Sequence, residues 1–212
     1  MNKKNFLKIG ITSRITENDT YVEKRDAISH DWPKFLEKID AFPIIIPNSI
    51  KNPKEFFNKM NLDGFVLSGG DNMGDNIERD KIEKSIIEYG MKNKIPILGV
   101  CRGMQVINNY FGGRLKKSST SEHVRNDHFI KIQKNNFCKI PTTTFVKVNS
   151  YHNNVINKNS LGKNLISFAI TKNDETVEGF FHKNHLILGV MWHPERQQKS
   201  FDKSLFDKFF NN

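Results

Sequence analysis

The chain has 212 residues, 37% of them apolar, enough to bury a real core as one domain spanning 1–212 and short for two. No apolar run approaches membrane-spanning length, the segment after the basic start Met1-Asn2-Lys3-Lys4 is interrupted at Lys8 and Gly10, and two cysteines, Cys101 and Cys138, make no disulfide framework. A membrane span, a secretory leader and a disulfide scaffold are therefore not expected, and a reducing cytoplasmic setting is.

The net charge of +10 is lopsided, with 16 Lys and Arg against 15 Asp and Glu in residues 1–100 but 17 against 8 in 101–212. Such an imbalance would suit anionic ligands or nucleic acid, but lysine scattered through a Lys- and Asn-rich chain reads instead as solvated surface, and neither nucleic acid nor a membrane is expected as partner. In chain order, residues 6–12 alternate in part between polar bounds and predict a first strand, while the charged stretch 13–26 predicts a loop. A helix is expected with Asp31 as N-cap and Pro33 at its first position, carrying Phe35, Leu36 and Ile39 on one face. Residues 42–46 read as a fully apolar strand, Pro53 opens a second helix running to Met60, and residues 64–67 read as a strand entering the turn Ser68-Gly69-Gly70-Asp71. Over 77–92, Ile82, Ile86, Ile87 and Tyr89 amid charges predict an amphipathic helix, followed by a strand over 95–100.

Apolar strands alternating with helices predict an α/β fold, a mostly parallel central sheet flanked by helices on both faces, with function at the carboxyl ends of the strands. After a helix capped at Gly112-Gly113 the texture changes. Short alternating segments at 128–133, 144–148, 165–170, 176–181 and 185–191 predict antiparallel strands that extend the sheet. Residues 201–210, with Phe201, Leu205, Phe206 and Phe209 at helical spacing, predict a docking helix.

Chemistry concentrates at two places. Residues 96–105 join a buried strand to a helix through Gly99-Val100-Cys101-Arg102-Gly103, the form of a nucleophile elbow whose strained turn lifts the side chain above the sheet. A cysteine at a helix N-terminus has its thiolate favoured, and a carbonyl carbon is its target. Near the end, Trp192-His193-Pro194-Glu195 delivers a histidine and, two residues on, a carboxylate; in an extended chain both face one side. Glu195 would then orient His193, and His193 would carry the proton for Cys101. The oxyanion formed by attack finds donors in the backbone N–H groups of Arg102 and Gly70.

This chemistry requires no metal or organic cofactor. Zinc binding by Cys101, His152, His193 and Glu195 is disfavoured, because zinc cysteines come in close pairs or with a second near ligand. Gly69-Gly70 lacks the Gly-Lys-Ser/Thr of a phosphate loop. His123 and His128 read as surface or structural residues, and Cys138 as inert. Gln105, one turn past the nucleophile, favours a substrate contact over surface polarity, whereas Ser150 and His152 fit a polar turn between strands equally well.

Taken jointly, Gly-x-Cys-x-Gly-x-Gln, the upstream Leu-Ser-Gly-Gly turn and the late Trp-His-Pro-Glu resemble the class I glutamine amidotransferase-like hydrolases, in the branch of γ-glutamyl-amide hydrolases that includes the γ-glutamyl-γ-aminobutyrate hydrolases. The resemblance runs from Ile9-Gly10-Ile11-Thr12 through Arg79-Asp80 to His193-Pro194-Glu195. It implies a flavodoxin-like three-layer fold, a triad of Cys101, His193 and Glu195, and a small γ-glutamyl substrate held by Gln105 and by the 148–152 segment with Ser150, Tyr151 and His152. Within the family the likeness reaches members that release glutamate from a nucleotide-linked γ-glutamyl phosphoramidate in making a bacterial capsule. Many relatives carry a proline and a longer insertion after the double glycine, whereas here only residues 71–78 separate Gly70 from Arg79. The shorter loop would open the leaving-group side, and the basic second half would suit a diphosphate there.

Two other readings stand beside this one. The chain would serve as a glutaminase component feeding ammonia to a partner synthetase, or as a basic nucleic-acid-binding protein on an inactive hydrolase scaffold. The intact triad argues against the latter.

Overall fold

A computed structural model describes residues 6–18, 20–118, 123–135, 137 and 143–211. Cys138 lies outside the described residues. The first half builds β1 (Leu7–Thr12), the hairpin strands β2 (Arg14–Glu17) and β3 (Lys24–Ala27), α1 (Asp31–Glu37), β4 (Ala41–Ile46), α2 (Pro53–Met60), β5 (Gly64–Leu67), α3 (Ile77–Asn93), β6 (Ile97–Val100) and α4 (Arg102–Tyr110). The second half adds β7 (Lys116–Lys117), β8 (His128–Ile132), β9 (Thr144–Val148), β10 (Asn154–Val155), a 3₁₀ turn at Lys158–Ser160, β11 (Leu165–Thr171), β12 (Val177–His182), β13 (Ile187–Val190), α5 (Pro194–Gln197) and α6 (Ser200–Phe210).

Nine strands form one sheet in the order β4-β1-β5-β6-β13-β12-β11-β8-β9. The first five are mutually parallel, and β12, β11, β8 and β9 continue antiparallel. The three central strands Gly-Phe-Val-Leu, Ile-Leu-Gly-Val and Ile-Leu-Gly-Val are buried at every residue, as expected of strands covered on both faces. Period-two alternation then sends Val66, Leu98, Val100, Leu188 and Val190 to one face, where α1 and α6 pack Phe35, Leu36, Phe206 and Phe209. Phe65, Leu67, Ile97 and Ile187 go to the other, against Phe57 of α2, Ile82 and Ile86 of α3, and Met104 and Ile107 of α4.

Several boundaries differ from the sequence expectation. The 13–26 stretch is the β2–β3 hairpin, its register running from Arg14 opposite Ala27 to Glu17 opposite Lys24; both strands are largely exposed and charged, so no apolar alternation marks them. Helix α1 is capped by His30 and ends at Glu37, one residue earlier at its start than the Asp31 cap predicted and short of Ile39. Strand β4 is an edge strand, which leaves Phe42 and Ile45 about half exposed. The 185–191 segment is not purely antiparallel: β13 pairs in parallel with β6, Leu188 opposite Leu98, and antiparallel with β12. It is thereby inserted at the centre of the sheet, beside the strand that leads to Cys101.

Candidate active site

Cys101 stands between the last residue of β6 and the first of α4 with φ 51° and ψ −105°, a left-handed backbone that costs strain for a residue with a Cβ. Its N–H donates to the Val190 carbonyl at 2.8 Å, and its carbonyl accepts from the Gln105 N–H at 3.1 Å, so the elbow is tied to β13 on one side and starts the helix on the other. Close approach of α4 to the end of β5 requires Gly103, where a Cβ would stand 2.0 Å from the Leu67 carbonyl oxygen.

The neighbouring turn, Ser68-Gly69-Gly70, leaves β5 with Gly70 at φ +128°. The Ser68 N–H donates to Thr12 Oγ1 at 3.0 Å and the Ser68 hydroxyl to the Thr12 carbonyl at 2.6 Å. Arg79 Nη2 donates to the Ser68 and Gly69 carbonyls at 2.8 and 3.1 Å. Arg79 in turn is paired with Glu83 at 3.0 Å, and the Arg102 guanidinium bonds Glu83 and Asp80. Arg79, Glu83 and Arg102 are all essentially inaccessible, so this is a buried ion network in which loss of any one member strands a charge, at a cost of about 3–5 kcal/mol. It fixes the two backbone segments, at Gly70 and Arg102, that flank the thiol. The Arg102 side chain is occupied here while its backbone N–H bonds to Cys101.

His193 is not on an extended strand with Glu195, as the sequence suggested. Strand β13 stops at Val190; His193 caps the short helix α5, and Glu195 lies in that helix's first turn. The turn still brings the pair together, with His193 Nδ1 2.7 Å from Glu195 Oε1. Facing a carboxylate, Nδ1 carries the proton and donates, which leaves Nε2 for the cysteine. A Cβ placed on Gly69 would lie 2.8 Å from His193 Cε1 and 3.7 Å from Cys101 Cβ, so imidazole and thiol meet over this turn. The histidine backbone is held twice by Asn149: its N–H donates to Asn149 Oδ1 and its carbonyl accepts from Asn149 Nδ2, both at 2.8 Å.

Burial pushes the Cys101 thiol up, but its hydrogen bond and charge interaction with His193, the charge of His152 and the Arg102 N–H together hold it below the ordinary thiol value. Burial pulls His193 down, and its interactions with Cys101 and Glu195 overcome this and raise it to about 9. The arrangement therefore favours a thiolate–imidazolium pair at neutral pH, suited to attack on an acyl carbon followed by proton delivery to the leaving group.

Of the remaining expected residues, Tyr151 meets His193 and His152 acts on Cys101, whereas the contacts of Gln105 and Ser150 lie elsewhere. Gln105 is buried on α4, its amide directed at Met191 Sδ at 3.7 Å. The Ser150 hydroxyl donates to the His123 carbonyl at 2.7 Å. Tyr151 is about half exposed, edge-on to His193 with ring centroids 5.9 Å apart, and Arg196 lies over it at 4.2 Å. His152 is buried, donates from Nδ1 to the Asn154 carbonyl at 2.9 Å, and adds its charge to that acting on Cys101.

Sequence reasoning passed over three contributors: Asn149, the Arg79–Glu83–Arg102 network, and Glu178, a fully buried carboxylate beside His152. The i, i+4 spacing of Arg79 and Glu83 on α3 was the available signal for the network. His123 is buried rather than on the surface, and His128 is nearly so.

The family model of peptidase C26 matches residues 8–195. The chain is 34% identical over 210 residues to a γ-glutamyl-CDP-amidate hydrolase from Campylobacter jejuni, covering 96% of this chain and 97% of that one. It is 32% identical over 182 residues to a component of the glutamine-hydrolysing GMP synthase of Thermoplasma volcanium, covering 84% and 83%. Among solved structures it is similar to a putative GMP synthase component from Thermoplasma acidophilum, with TM-score 0.73 at 24% identity over 98% of this chain and 94% of that one. The chain belongs to the peptidase C26 family and is a class I glutamine amidotransferase-like hydrolase acting on carbon–nitrogen bonds.

Proposed function

We propose that the chain hydrolyses a γ-glutamyl amide or phosphoramidate, and that its substrate is γ-glutamyl-CDP-amidate, cleaved to cytidine diphosphoramidate and glutamate as in the modification of capsule polysaccharide. The observation that carries the reading is the buried Cys101–His193–Glu195 constellation, with its depressed thiol and raised imidazole, on a strained strand–helix turn. The Cys101 thiolate attacks the γ-carbonyl carbon, and the oxyanion takes hydrogen bonds from the Gly70 and Arg102 N–H groups. As the C–N bond breaks, the His193 imidazolium gives its proton to the departing nitrogen while Glu195 holds the ring. Water, deprotonated by His193, then attacks the γ-glutamyl thioester, and glutamate leaves as the sulfur is restored. Gln105, Ser150, Tyr151 and His152 form the glutamyl pocket. The full-length likeness to the Campylobacter enzyme supports the nucleotide-linked leaving group.

Glutamate release from γ-glutamyl-CDP-amidate, γ-glutamyl-γ-aminobutyrate and glutamine, compared at equal concentration, tests this. The first is expected to be turned over fastest, and Cys101→Ala to abolish it; turnover undiminished by that substitution sinks the mechanism. A second reading, a glutaminase component of a larger synthetase, is favoured by the GMP synthase relatives. It predicts glutamine as preferred substrate, with weak hydrolysis that rises only when a synthetase partner is added.

A further inference from the structure

Next to the candidate active site, and sharing only His152 with it, four side chains from separate segments converge in the interior. His123 precedes an isolated antiparallel bridge between Val124 and Tyr151, His128 opens β8, His152 follows Tyr151, and Glu178 sits in β12. Glu178 Oε1 lies 3.5 Å from His152 Nε2 and 3.8 Å from His123 Nδ1, and Oε2 lies 3.4 Å from His128 Nε2. His123, His152 and Glu178 are each at most 4% exposed. His123 Nδ1, His128 Nε2, His152 Nε2 and both Glu178 oxygens are buried without a hydrogen-bond partner. Buried polar atoms are normally paired, so orphans gathered around one carboxylate, two imidazole nitrogens on Oε1 and one on Oε2, call for a physical account.

The outer nitrogens supply it. His123 Nε2 is 2.8 Å from Asp174 Oδ2, and His152 Nδ1 is 2.9 Å from the Asn154 carbonyl. Both acceptors are oxygens without a proton to give, so in each ring the outer nitrogen carries the hydrogen. A charged His152 turns its inner N–H toward Glu178; once an inner proton leaves, the nitrogen presents a lone pair beside the carboxylate, as metal binding requires. An outer N–H anchored on a carboxylate or carbonyl, with the inner lone pair directed inward, is the arrangement found behind metal-ligating histidines. The ligand atoms of His123, His152 and Glu178 lie within 4.8 Å of one another. Their 3.5 and 3.8 Å nitrogen–oxygen separations approach the edge, about 3.4 Å, of a tetrahedron built on bonds of about 2.0–2.1 Å. Two imidazoles with one carboxylate are the donors of a borderline ion of the zinc class, not of calcium or magnesium.

We propose that His123, His152 and Glu178 bind one divalent transition-metal ion of the zinc class, distinct from the Cys101–His193 pair, with His128 paired to the other Glu178 oxygen and outside the ligand set. The ion fastens three pieces to one another: the segment at 123, the turn at 149–152, and the sheet through β12. That turn also carries Asn149, which holds the His193 backbone. The ion is thus structural for the site, a clamp on the turn rather than a participant in bond cleavage.

The test is metal stoichiometry in the Cys101→Ala chain, which removes the thiol as a competing zinc ligand. The protein is stripped with a chelator, dialysed against micromolar zinc, and its metal content measured by mass spectrometry alongside thermal unfolding. About one ion per chain is expected, with a raised Tm that the chelator reverses. Cobalt in place of zinc should give a visible d–d band without a thiolate charge-transfer band. Glu178→Gln and His123→Gln, each checked for native circular dichroism, should hold less than about a tenth of an ion. A stripped chain that takes up no zinc overturns the proposal, as does equal uptake by either folded variant.

Discussion

His193 lies between two partners of opposite consequence: Glu195 fixes its outer nitrogen, and Cys101 shares the proton on the other side. Because both interactions raise the imidazole, to about 9, and that imidazole in turn lowers the thiol, the two groups titrate as a pair rather than singly. The thiolate is the reactive form, so alkylation of Cys101 by iodoacetamide should stay fast through pH 6–8, below the range where an ordinary thiol, with pKa about 8.5, ionises. Hydrolysis needs the imidazolium as acid, so its kcat/KM should fall as pH rises through about 9. In His193→Asn, burial, the largest influence on the thiol, is opposed only by the His152 charge and the Arg102 N–H, and the thiol pKa rises. Alkylation at pH 7 should then slow by about ten-fold or more and recover only at alkaline pH; an unchanged rate profile in that variant would show that the thiol is not activated by His193.

Helix α6 docks on the sheet through Leu205, Phe206, Phe209 and Phe210, and its first turn also buries a carboxylate, Asp202, which accepts from Trp192 Nε1 at 2.9 Å. Burial raises Asp202 from 3.8 to about 6; Trp192 and Lys199 oppose the rise, and Glu195 adds to it. With the folded-state pKa above the unfolded one, the fold binds the extra proton, so this group's contribution to stability is intact below about pH 4 and is lost as pH rises through about 6. The loss is up to about 3 kcal/mol. Asp202→Asn keeps an acceptor for Trp192 and cannot ionise. Urea unfolding should find the variant more stable than the parent at pH 7.5 and nearly equal to it at pH 4; the same difference at both pH values would refute the account. The amphipathic spacing of 201–210 was plain in the sequence, as were β5, β9 and α2, because apolar period and flanking turn residues agreed there. The β2–β3 hairpin was not, since its residues are charged and solvated on both faces, and neither was the position of β13, because strand order is decided by long-range pairing that no local pattern records.

Across the whole molecule, the site arises where two topological facts coincide: β6 and β13 run parallel side by side at the centre of the sheet, and their carboxyl ends deliver Cys101 and the His193 turn to the same end of it. The three residues proposed for the chemistry stand out in the sequence because each sits in a short motif with its own geometry. Asn149, Glu178 and the Arg79–Glu83–Arg102 network were harder to see, because a buried polar residue looks like a surface one until its partners are in place, and only the i, i+4 pair Arg79–Glu83 is local in sequence. Net charge is legible at once and acts at this largest scale. The excess of nine positive charges after residue 100 against one before it gives the chain a field that draws anions. If the leaving group bears a diphosphate, association should be electrostatically assisted, and salt should weaken it. Between about 0.02 and 0.3 M salt the screening length shrinks from roughly 20 Å to about 6 Å, so kcat/KM for γ-glutamyl-CDP-amidate should drop about three- to ten-fold, through KM, with kcat unchanged. Glutamine, which carries no such leaving group, should show less than about a two-fold change. Equal salt dependence for both substrates would mean that the basic surface plays no part in choosing what leaves, and that the leaving-group preference must come from contacts within the short 71–78 loop.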